Sequence, residues 1–382
     1  MPRTFDIAVL GASAAGYVSA LALAAKGRDV IILDVPGSAT ESPLADWMPA
    51  DTFGLCRPLR AVRTAGTDGA FRAVCFYSSD LGRQAAYRQR SIAGYVLRST
   101  ALLKALDRAA GAAGVSRLRP RQAVEVHLEE HAVALSAGTR TVRAALLLIA
   151  RDRPAEVVAR LQLPVRAVPT AALTVFGLDA PIGRGKCRGA LGGALHVVAL
   201  SEGERFGMFF TAGPMLHVRI VARAYTASGE HAGPAPPVQP DELAELIGRL
   251  QKADMLPPRL ELNKAAAALW RPPGGVALEL ETHLAKRTLL VGTAGGFASA
   301  LAGQTLDPSI RSALVAADVA ERALRSDRPQ EVLAEYKTQW RDLLADRIRP
   351  TGASLQMLMP MVLANKAMAQ RFARALLYGE NL

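Results

Sequence analysis

The sequence predicts an α/β fold in which a parallel-sheet domain, assembled from segments far apart in the chain, accompanies a second domain of antiparallel strands. Three observations predict it. The chain opens with FDIAVLGASAAGYVSALALAAKGRDVIILD, which is typical of a strand, a glycine turn, a helix and a second strand. Residues 164–286 then change to alternating strand patterns such as LHVVALS and RFGMFFT. Strand, glycine turn and helix finally return in RTLLVGTAGGFASALAGQTLDPSIRSALVAADVAERAL.

The opening unit predicts a dinucleotide-binding turn. An apolar strand runs directly into the turn, whose G-x-S-x-x-G spacing is a variant of the usual glycine pattern. Exposed amides at the start of the next helix can hold a pyrophosphate, and the last glycine lets the helix pack closely on the sheet. The predicted contacts are Gly11, Ser13, Ala14, Ala15 and Gly16.

Asp34 ends the second strand of this unit. A carboxylate about 20 residues beyond the glycines is placed to accept hydrogen bonds from an adenosine ribose. The alternative interpretation is a glycine turn that only packs a strand on a helix.

Composition limits the class of protein. The chain has 382 residues, half of them hydrophobic, which allows a large core and two domains. Since no run of about 18 uninterrupted apolar residues occurs, we expect neither a membrane span nor a signal peptide, and the cytoplasm is the expected location. The three cysteines have no C-x-x-C spacing, which argues against a disulfide framework, and no cluster has metal-ligand spacing.

The net charge of +12 suits an anionic partner without choosing one. The arginines are spread through the chain, few aromatic residues lie among them, and no nucleic-acid motif is found. We therefore do not expect nucleic-acid binding.

Four consecutive parts are predicted. They are 1–163, the first part of the nucleotide-binding domain with a loop or cap insertion near 36–90; 164–286, an antiparallel substrate domain; 287–330, the return of the nucleotide-binding domain; and 331–382, a helical segment.

The helical end carries the Met-rich run LQMLMPMVLANKAMAQRFARALL, with Pro360 inside it and Lys366, Arg371 and Arg374 towards its close. Three interpretations stay open at this point. The run packs as core, docks a partner, or contacts an anionic membrane surface as a peripheral helix. The oligomeric state is not predicted.

Four segments, in this order, resemble motifs of one flavoprotein group. They are the opening turn with Asp34; GYVLRSTALLKALDRAA, with Arg98; AALLLIARDRPAEVVARLQL, with Asp152; and LLVGTAGGFASALAGQTLDPSIRSALVAADVAE. The group includes geranylgeranyl reductases, aromatic hydroxylases of the p-hydroxybenzoate type and flavin-dependent halogenases.

The resemblance implies a Rossmann-like domain that binds FAD, an FAD-dependent oxidoreductase activity, and NAD(P)H as a candidate reductant. It implies that Arg98 reaches the FAD and that the return turn holds the flavin ribose and pyrophosphate. The return-turn residues are Gly292, Thr293, Gly295, Gly296 and Gly303. Because Gly295-Gly296-Phe297 is similar to the reductase version, reduction of a carbon–carbon double bond in a lipophilic or polycyclic substrate is the first expectation, and hydroxylation is the second.

The segment GERFGMFFTAGPMLHVRIV resembles the strand of the group that faces the flavin. Phe206, Met208 and Phe210 are therefore candidates to line an apolar substrate pocket, and His217 is a candidate proton donor. Core packing on a half-buried strand predicts the same alternation, and a structural histidine is the alternative for His217. No catalytic residue is assigned.

A different class also follows from the residues. Ser13, Arg153, Thr293 and Thr305 replace residues that make or permit close cofactor contact in the group. A flavoprotein-like scaffold that no longer uses FAD for redox work is therefore the third hypothesis, with a ligand-binding, partner-assisting or non-redox role.

Overall fold

The computed structural model describes residues 4–35, 41–121, 124–151, 154–165, 172–182, 191–200, 204–226, 230–258, 260 and 265–382. Two residues singled out above, Asp152 and Arg153, and one of the three cysteines, Cys187, lie outside this part of the chain.

The strands within the described residues are β1 (Thr4–Leu10), β2 (Val30–Leu33), β3 (Asp46–Pro49), β4 (Gly69–Phe71), β5 (Ala73–Tyr77), β6 (Gln84–Arg88), β7 (Gly94–Leu97), β8 (Ser116–Leu118), β9 (Glu125–Leu128), β10 (Val133–Ala137), β11 (Arg140–Ile149), β12 (Leu173–Pro181), β13 (Ala194–Ala199), β14 (Arg205–Ala212), β15 (Met215–Arg223), β16 (Ala266–Trp270), β17 (Leu284–Ala285) and β18 (Thr288–Leu290).

The α-helices within the same residues are α1 (Ala14–Ala24), α2 (Arg57–Gly66), α3 (Ser99–Ala112), α4 (Pro154–Arg160), α5 (Pro240–Lys252), α6 (Val276–Glu279), α7 (Leu306–Leu324), α8 (Pro329–Ile348), α9 (Leu355–Ala364) and α10 (Lys366–Tyr378). Two short 3-10 turns, Ala50–Gly54 and Gly292–Gly295, matter for the site.

The first sheet has the strand order β17-β18-β11-β1-β2-β8, with the β9–β10 hairpin attached to β11. Its central pairs are parallel: β1 with β11 and β2, β2 with β8, and β11 with β18. Since β18 follows β11 by more than a hundred residues, the predicted assembly of this layer from distant segments is confirmed. Short apolar strands buried on both faces are what a parallel sheet covered by helices requires.

The second sheet has the order β16-β12-β15-β14-β13-β5-β6. All of its pairs are antiparallel except β13 with β5, so the predicted antiparallel domain is found as a mostly antiparallel sheet. The strands β5 and β6 come from the segment near 36–90 and join this sheet, and β5 is buried along its whole length. The small sheet β3-β7-β4 lies nearby, with β4 and β7 in contact with β14.

The C-terminal helices cover one face of the second sheet. Their apolar residues belong to the same buried cluster as β5, β13 and β14, through Leu358, Met359, Val362 and Phe372. The opposite side of α9 is open, because Met357 is 62% exposed and Met361 is 44% exposed. Core packing therefore accounts for one side of the Met-rich run. Among the described residues, no helix combines the length and the apolar character that crossing a membrane needs.

Candidate functional site

The first glycine turn is fixed by backbone contacts. Gly11 has a φ of +116°, and a Cβ on Gly16 would lie 2.1 Å from the Gly11 carbonyl oxygen. A Cβ on Gly11 would itself approach the backbone of Ala150 and Arg151 to 3.0 Å. Because backbone atoms cannot move aside cheaply, both positions require glycine. The turn thus brings β1, α1 and the end of β11 into direct contact.

The start of α1 already has hydrogen-bond acceptors. Ser13 caps the helix, since its Oγ accepts from the Gly16 amide at 3.0 Å. The Ala14 amide donates to Oε1 of Glu41 at 2.6 Å. Ser13, Ala14 and Ala15 are at most 3% exposed. The carboxylate of Glu41 therefore lies where the sequence predicts a pyrophosphate, and no local pattern around Glu41 indicated this contact.

Asp34 lies at the end of β2, as predicted, and is one-third exposed. Its Oδ2 accepts from Nε of Arg119 at 3.1 Å, while the Arg119 side chain is 68% exposed. Beside this pair is an open groove of about 450 Å³, and its charged lining residues are Arg119, Arg121 and Arg140. The carboxylate can thus be reached from solvent.

Arg98 lies directly before α3, where the sequence places it. Its backbone amide and its Nε both donate to Oδ2 of Asp68, at 3.1 and 3.2 Å. This hydrogen bond raises the pKa of the Arg98 guanidinium. The side chain is 59% exposed, so the ion pair faces water.

The return turn packs against the first turn. Gly292 and Gly296 have φ values of +61° and +76°, and a Cβ on Gly292 would lie 2.6 Å from Cβ of Ala15. His283 holds the turn from the other side, because its Nε2 donates to the Gly295 carbonyl oxygen at 2.8 Å. The glycines here serve the close packing of two turns as well as any ligand.

The return segment carries two buried threonines at positions that the resemblance compares with cofactor contacts. Thr293 is 5% exposed, and Thr305, directly before α7, is 1% exposed. The Thr305 Oγ1 is buried and has no hydrogen-bond partner within the described part of the chain. Gly303 has a φ of +67° and leads into α7. A buried hydroxyl without a partner indicates a place where a further polar group fits.

His283 is buried among the rings of Phe297, Tyr336 and Trp340, with centroid distances of 5.0 to 6.3 Å. Loss of water around the ring lowers its pKa to about 4. It is therefore neutral at physiological pH and anchors the turn. The sequence analysis did not single it out.

A charged cluster at the start of α7 was also missed. Asp307 accepts hydrogen bonds from Thr52 Oγ1, Arg311 Nε and Arg347 at 2.6, 2.7 and 3.0 Å. Arg311 also donates to Asp51 at 2.6 Å. An acid in the first helical turn with an arginine four residues later is the signal that sequence reasoning overlooked. The cluster joins the Ala50–Gly54 turn to α7 and α8.

The predicted substrate strand forms part of the covered sheet face. Phe206, Met208 and Phe210 are at most 3% exposed and share one apolar cluster with α9 and α10. This arrangement is what the core-packing alternative expects. A substrate pocket lined by these three residues stays a prediction.

His217 lies on the same face, because it pairs in register with Phe210 of β14 and Asp179 of β12. Its Nδ1 is 2.8 Å from Oδ1 of Asp179, and its ring lies 5.1 Å from the Phe210 ring. Asp179 is held in turn by the Ala45 amide at 3.0 Å. A carboxylate bonded to Nδ1 fixes the tautomer and leaves Nε2 as the nitrogen that can exchange a proton.

Beside the histidine lies a buried ion pair. Arg219 of β15 donates to Oδ1 of Asp46 at 3.1 Å and lies over the Phe210 ring at 5.2 Å. Gly177 makes room for it, since a Cβ there would come within 2.6 Å of Cβ of Arg219. Asp46 Oδ2 and Arg219 Nε have no hydrogen-bond partner within the described residues. In the sequence, the alternation of charged residues in HVRIVAR was the signal that could have indicated this ion pair.

Comparison with solved structures shows which known proteins share this architecture. A geranylgeranyl bacteriochlorophyll reductase-like protein from Thermoplasma acidophilum is 14% identical, with 100% of this chain and 98% of that chain covered and a TM-score of 0.74. A flavoprotein/dehydrogenase from Cytophaga hutchinsonii is 14% identical, with 98% and 93% covered and a TM-score of 0.71. The p-nitrophenol 4-monooxygenase of Pseudomonas putida is 15% identical, with 98% and 94% covered and a TM-score of 0.66. No protein-family model matches the chain, and no curated protein sequence matches it either.

The chain therefore has the same fold as these solved structures, which include a reductase-like protein, a flavoprotein/dehydrogenase, a monooxygenase and a flavin-dependent halogenase. The likeness extends over both sheets and the C-terminal helices, since nearly the whole length of each chain is matched. At these identities it defines the fold, and the reaction has to be argued from the residues.

The residues of the site fit FAD with one exchange. The two glycine turns keep their close approach, Asp34 is accessible, and the buried Thr305 hydroxyl has no partner among the residues that the structure describes. At the predicted pyrophosphate position, the Ala14 amide donates to a carboxylate, so this helix end binds an anion from the chain itself. FAD fits if its phosphate replaces Glu41 there.

Proposed function

We propose that this chain is an FAD-dependent oxidoreductase that reduces a carbon–carbon double bond in a lipophilic or polycyclic substrate. The observation that carries the proposal is the anion-binding start of α1, where the Ala14 amide donates to a carboxylate at 2.6 Å inside a flavoprotein fold. The fold supplies the class, and the turn supplies the position for a phosphate.

The residues that would hold FAD follow from the site. The Gly11–Gly16 turn would bind the pyrophosphate, Asp34 the adenosine ribose, and the Gly292–Gly296 turn, with Gly303 beyond it, the remaining ribose and phosphate atoms. Arg98 would reach the FAD from the start of α3, as the resemblance implies. When bound, the flavin would supply hydride transfer, with NAD(P)H as the proposed external reductant. Metal ligands are not part of the proposal.

Reduction of a double bond needs a proton in addition to a hydride, and this chain offers a proton donor on the sheet face. His217 is bonded to Asp179 at 2.8 Å and lies against Phe210, so its Nε2 is the proposed donor. Phe206, Met208 and Phe210 give that face the apolar character that a lipophilic substrate needs. These two features support reduction over hydroxylation.

The first experiment is the visible absorbance spectrum of the purified protein, with and without added FAD. A bound flavin spectrum that is bleached anaerobically by NADPH, and restored by an isoprenoid alkene, supports the proposal. Oxygen consumption coupled to an aromatic substrate would instead favour hydroxylation. A colourless protein that leaves added FAD unchanged would favour the scaffold hypothesis.

A further inference from the structure

Glu41 is the carboxylate that occupies the predicted pyrophosphate position. Its Oε1 accepts from the Ala14 amide at 2.6 Å, at the positive end of the helix dipole of α1. The Gly16 amide is bonded to Ser13 Oγ, and the Tyr17 amide to the Ser13 carbonyl oxygen. The Ala14 amide, which a pyrophosphate would need, is thus already hydrogen-bonded to a carboxylate of the same chain.

The residues that begin α1 in this turn are buried. Ala14 and Ala15 are 0% and 1% exposed, while Gly292 of the return turn packs on Ala15. A pyrophosphate cannot approach the Ala14 amide while the Glu41 carboxylate stays there, because two anions cannot share one donor. Binding of the phosphate and binding of Glu41 exclude each other.

The other two charged contacts predicted for FAD are also paired within the chain, but weakly. Asp34 with Arg119 and Arg98 with Asp68 are exposed ion pairs at the surface. Water competes with such pairs, so a ligand can replace either partner at little cost. The contact of Glu41 is charge-assisted, partly buried and made to the fully buried Ala14, and it is therefore the one that limits nucleotide binding.

We infer that Glu41 is an internal ligand of the nucleotide site, and that FAD binds only when its pyrophosphate displaces this carboxylate. The inference rests on the proposed function for the identity of the nucleotide. It predicts that the protein binds FAD reversibly and that other anions compete with FAD at this turn. Loss of one charge-assisted hydrogen bond corresponds to a change in affinity of about 10- to 150-fold.

The test is the FAD dissociation constant of the whole protein, measured from FAD fluorescence, for Glu41→Gln and Glu41→Asp. Glu41→Gln removes the charge, whereas Glu41→Asp keeps the charge and shortens the side chain. Glu245→Gln on α5 is the matched control, since it makes the same charge change at an exposed position in the other layer. We expect both Glu41 variants to bind FAD at least about 10-fold more tightly and the control to stay within about twofold of the wild type.

Inorganic pyrophosphate provides a second readout. It should compete with FAD more strongly in Glu41→Gln than in the wild type, because the Ala14 amide can then donate to a pyrophosphate oxygen. Wild-type affinity in both Glu41 variants would overturn the inference and leave the proposed function standing. Absence of FAD binding in the wild type and in both variants, with far-UV circular dichroism of the wild type retained, would overturn both.

Discussion

The pair of Arg119 and Asp34, at the predicted nucleotide-binding turn, lies at the surface, whereas the pair of Arg219 and Asp46 on the face of the second sheet is buried. Arg119 with Asp34 is 68% and 33% exposed, but Arg219 with Asp46 is 5% and 1% exposed. Surface pairs contribute about 0–1 kcal/mol, while removal of one partner of a buried pair costs about 3–5 kcal/mol. The nucleotide end can therefore exchange its partners for a ligand, and the sheet face cannot.

The difference assigns different tasks to the two regions. At the nucleotide end, glycine backbone sets the shape and the exposed pairs of Asp34 and Arg98 are exchangeable, unlike the partly buried contact of Glu41 and the buried cluster around Asp307. On the sheet face, Asp46, Asp179, His217 and Arg219 are held in fixed positions by one another and by Ala45. Such preorganisation suits groups that must meet a substrate in one geometry.

The largest expected effect concerns the proposed proton donor. His217→Gln should slow the oxidative half-reaction, in which the reduced flavin would reduce the substrate, by about 10²- to 10⁴-fold, because an amide cannot deliver the proton. FAD affinity and the melting temperature should stay close to wild type, which separates this role from a structural one. Asp179→Asn should have a smaller effect on turnover, since it disturbs the tautomer only. Equal turnover in wild type and His217→Gln would remove His217 from the mechanism.

The buried ion pair should show the next largest effect, on stability. Asp46→Asn leaves the Arg219 guanidinium buried without a counter-charge, so the free energy of unfolding in urea should fall by about 3–5 kcal/mol. The double variant Asp46→Asn with Arg219→Met should recover much of this loss, because no unpaired charge remains. Asp68→Asn, which breaks an exposed pair, is the control and should cost less than about 1 kcal/mol. Equal losses for Asp46→Asn and Asp68→Asn would contradict the comparison.

Acid should lower the free energy of unfolding through one buried histidine in each of the two regions. Burial lowers the pKa of His196 on β13 and of His283 beside the return turn to about 4. In the unfolded chain both return to about 6.5, so the unfolded state binds more protons and stability falls as the pH drops from about 6.5 towards 4. Each histidine should contribute a loss of about 2 kcal/mol between neutral pH and pH 5, measured by urea unfolding.

Single substitutions can apportion this pH dependence. His196→Gln and His283→Gln should each lower the number of protons taken up on unfolding, and so the slope of the free energy of unfolding against pH, by nearly one proton between pH 6.5 and 4. A free energy of unfolding that is constant from pH 7 to pH 5 would rule out neutral burial of the two rings.

The smallest expected effect belongs to the nucleotide end. Arg119→Ala should change the free energy of unfolding by less than about 1 kcal/mol, because the guanidinium is mostly in water. A loss of about 2 kcal/mol or more would show that the Asp34 pair is structural and would erase the contrast with the sheet face.

Much of the fold could be predicted because local patterns carry it. The spacing of Gly11 and Gly16 predicted the first turn, and the predicted return of strand, glycine turn and helix is found as β18, the Gly292–Gly295 turn and α7. The pairing of β5 with β13 could not be predicted, because an apolar strand does not reveal which sheet it joins. The domain boundaries stay predictions. The strands β5 and β6 lie within the predicted first part, 1–163, but they join the sheet formed mainly by strands of the predicted substrate domain.

For the candidate site, the sequence identified the groups that have a fixed spacing and missed their partners. Asp34, Arg98 and His217 were singled out, whereas Glu41, Asp46 and Asp179 were not. Each missed residue meets its partner across a long separation along the chain, where no periodicity signals the contact. Thr293 and Gly303 were placed by the same segment resemblance, and their cofactor roles remain to be tested.

By itself the sequence determined the class of fold and the positions where only glycine is tolerated, because strand and helix periodicities and backbone geometry are local properties. Tertiary structure alone decided which charges are buried, which are exposed, and that a carboxylate of the chain reaches the amide of Ala14. The physical reason is that the strength of a charged contact depends on the water excluded around it, and only packing between distant segments sets that exclusion.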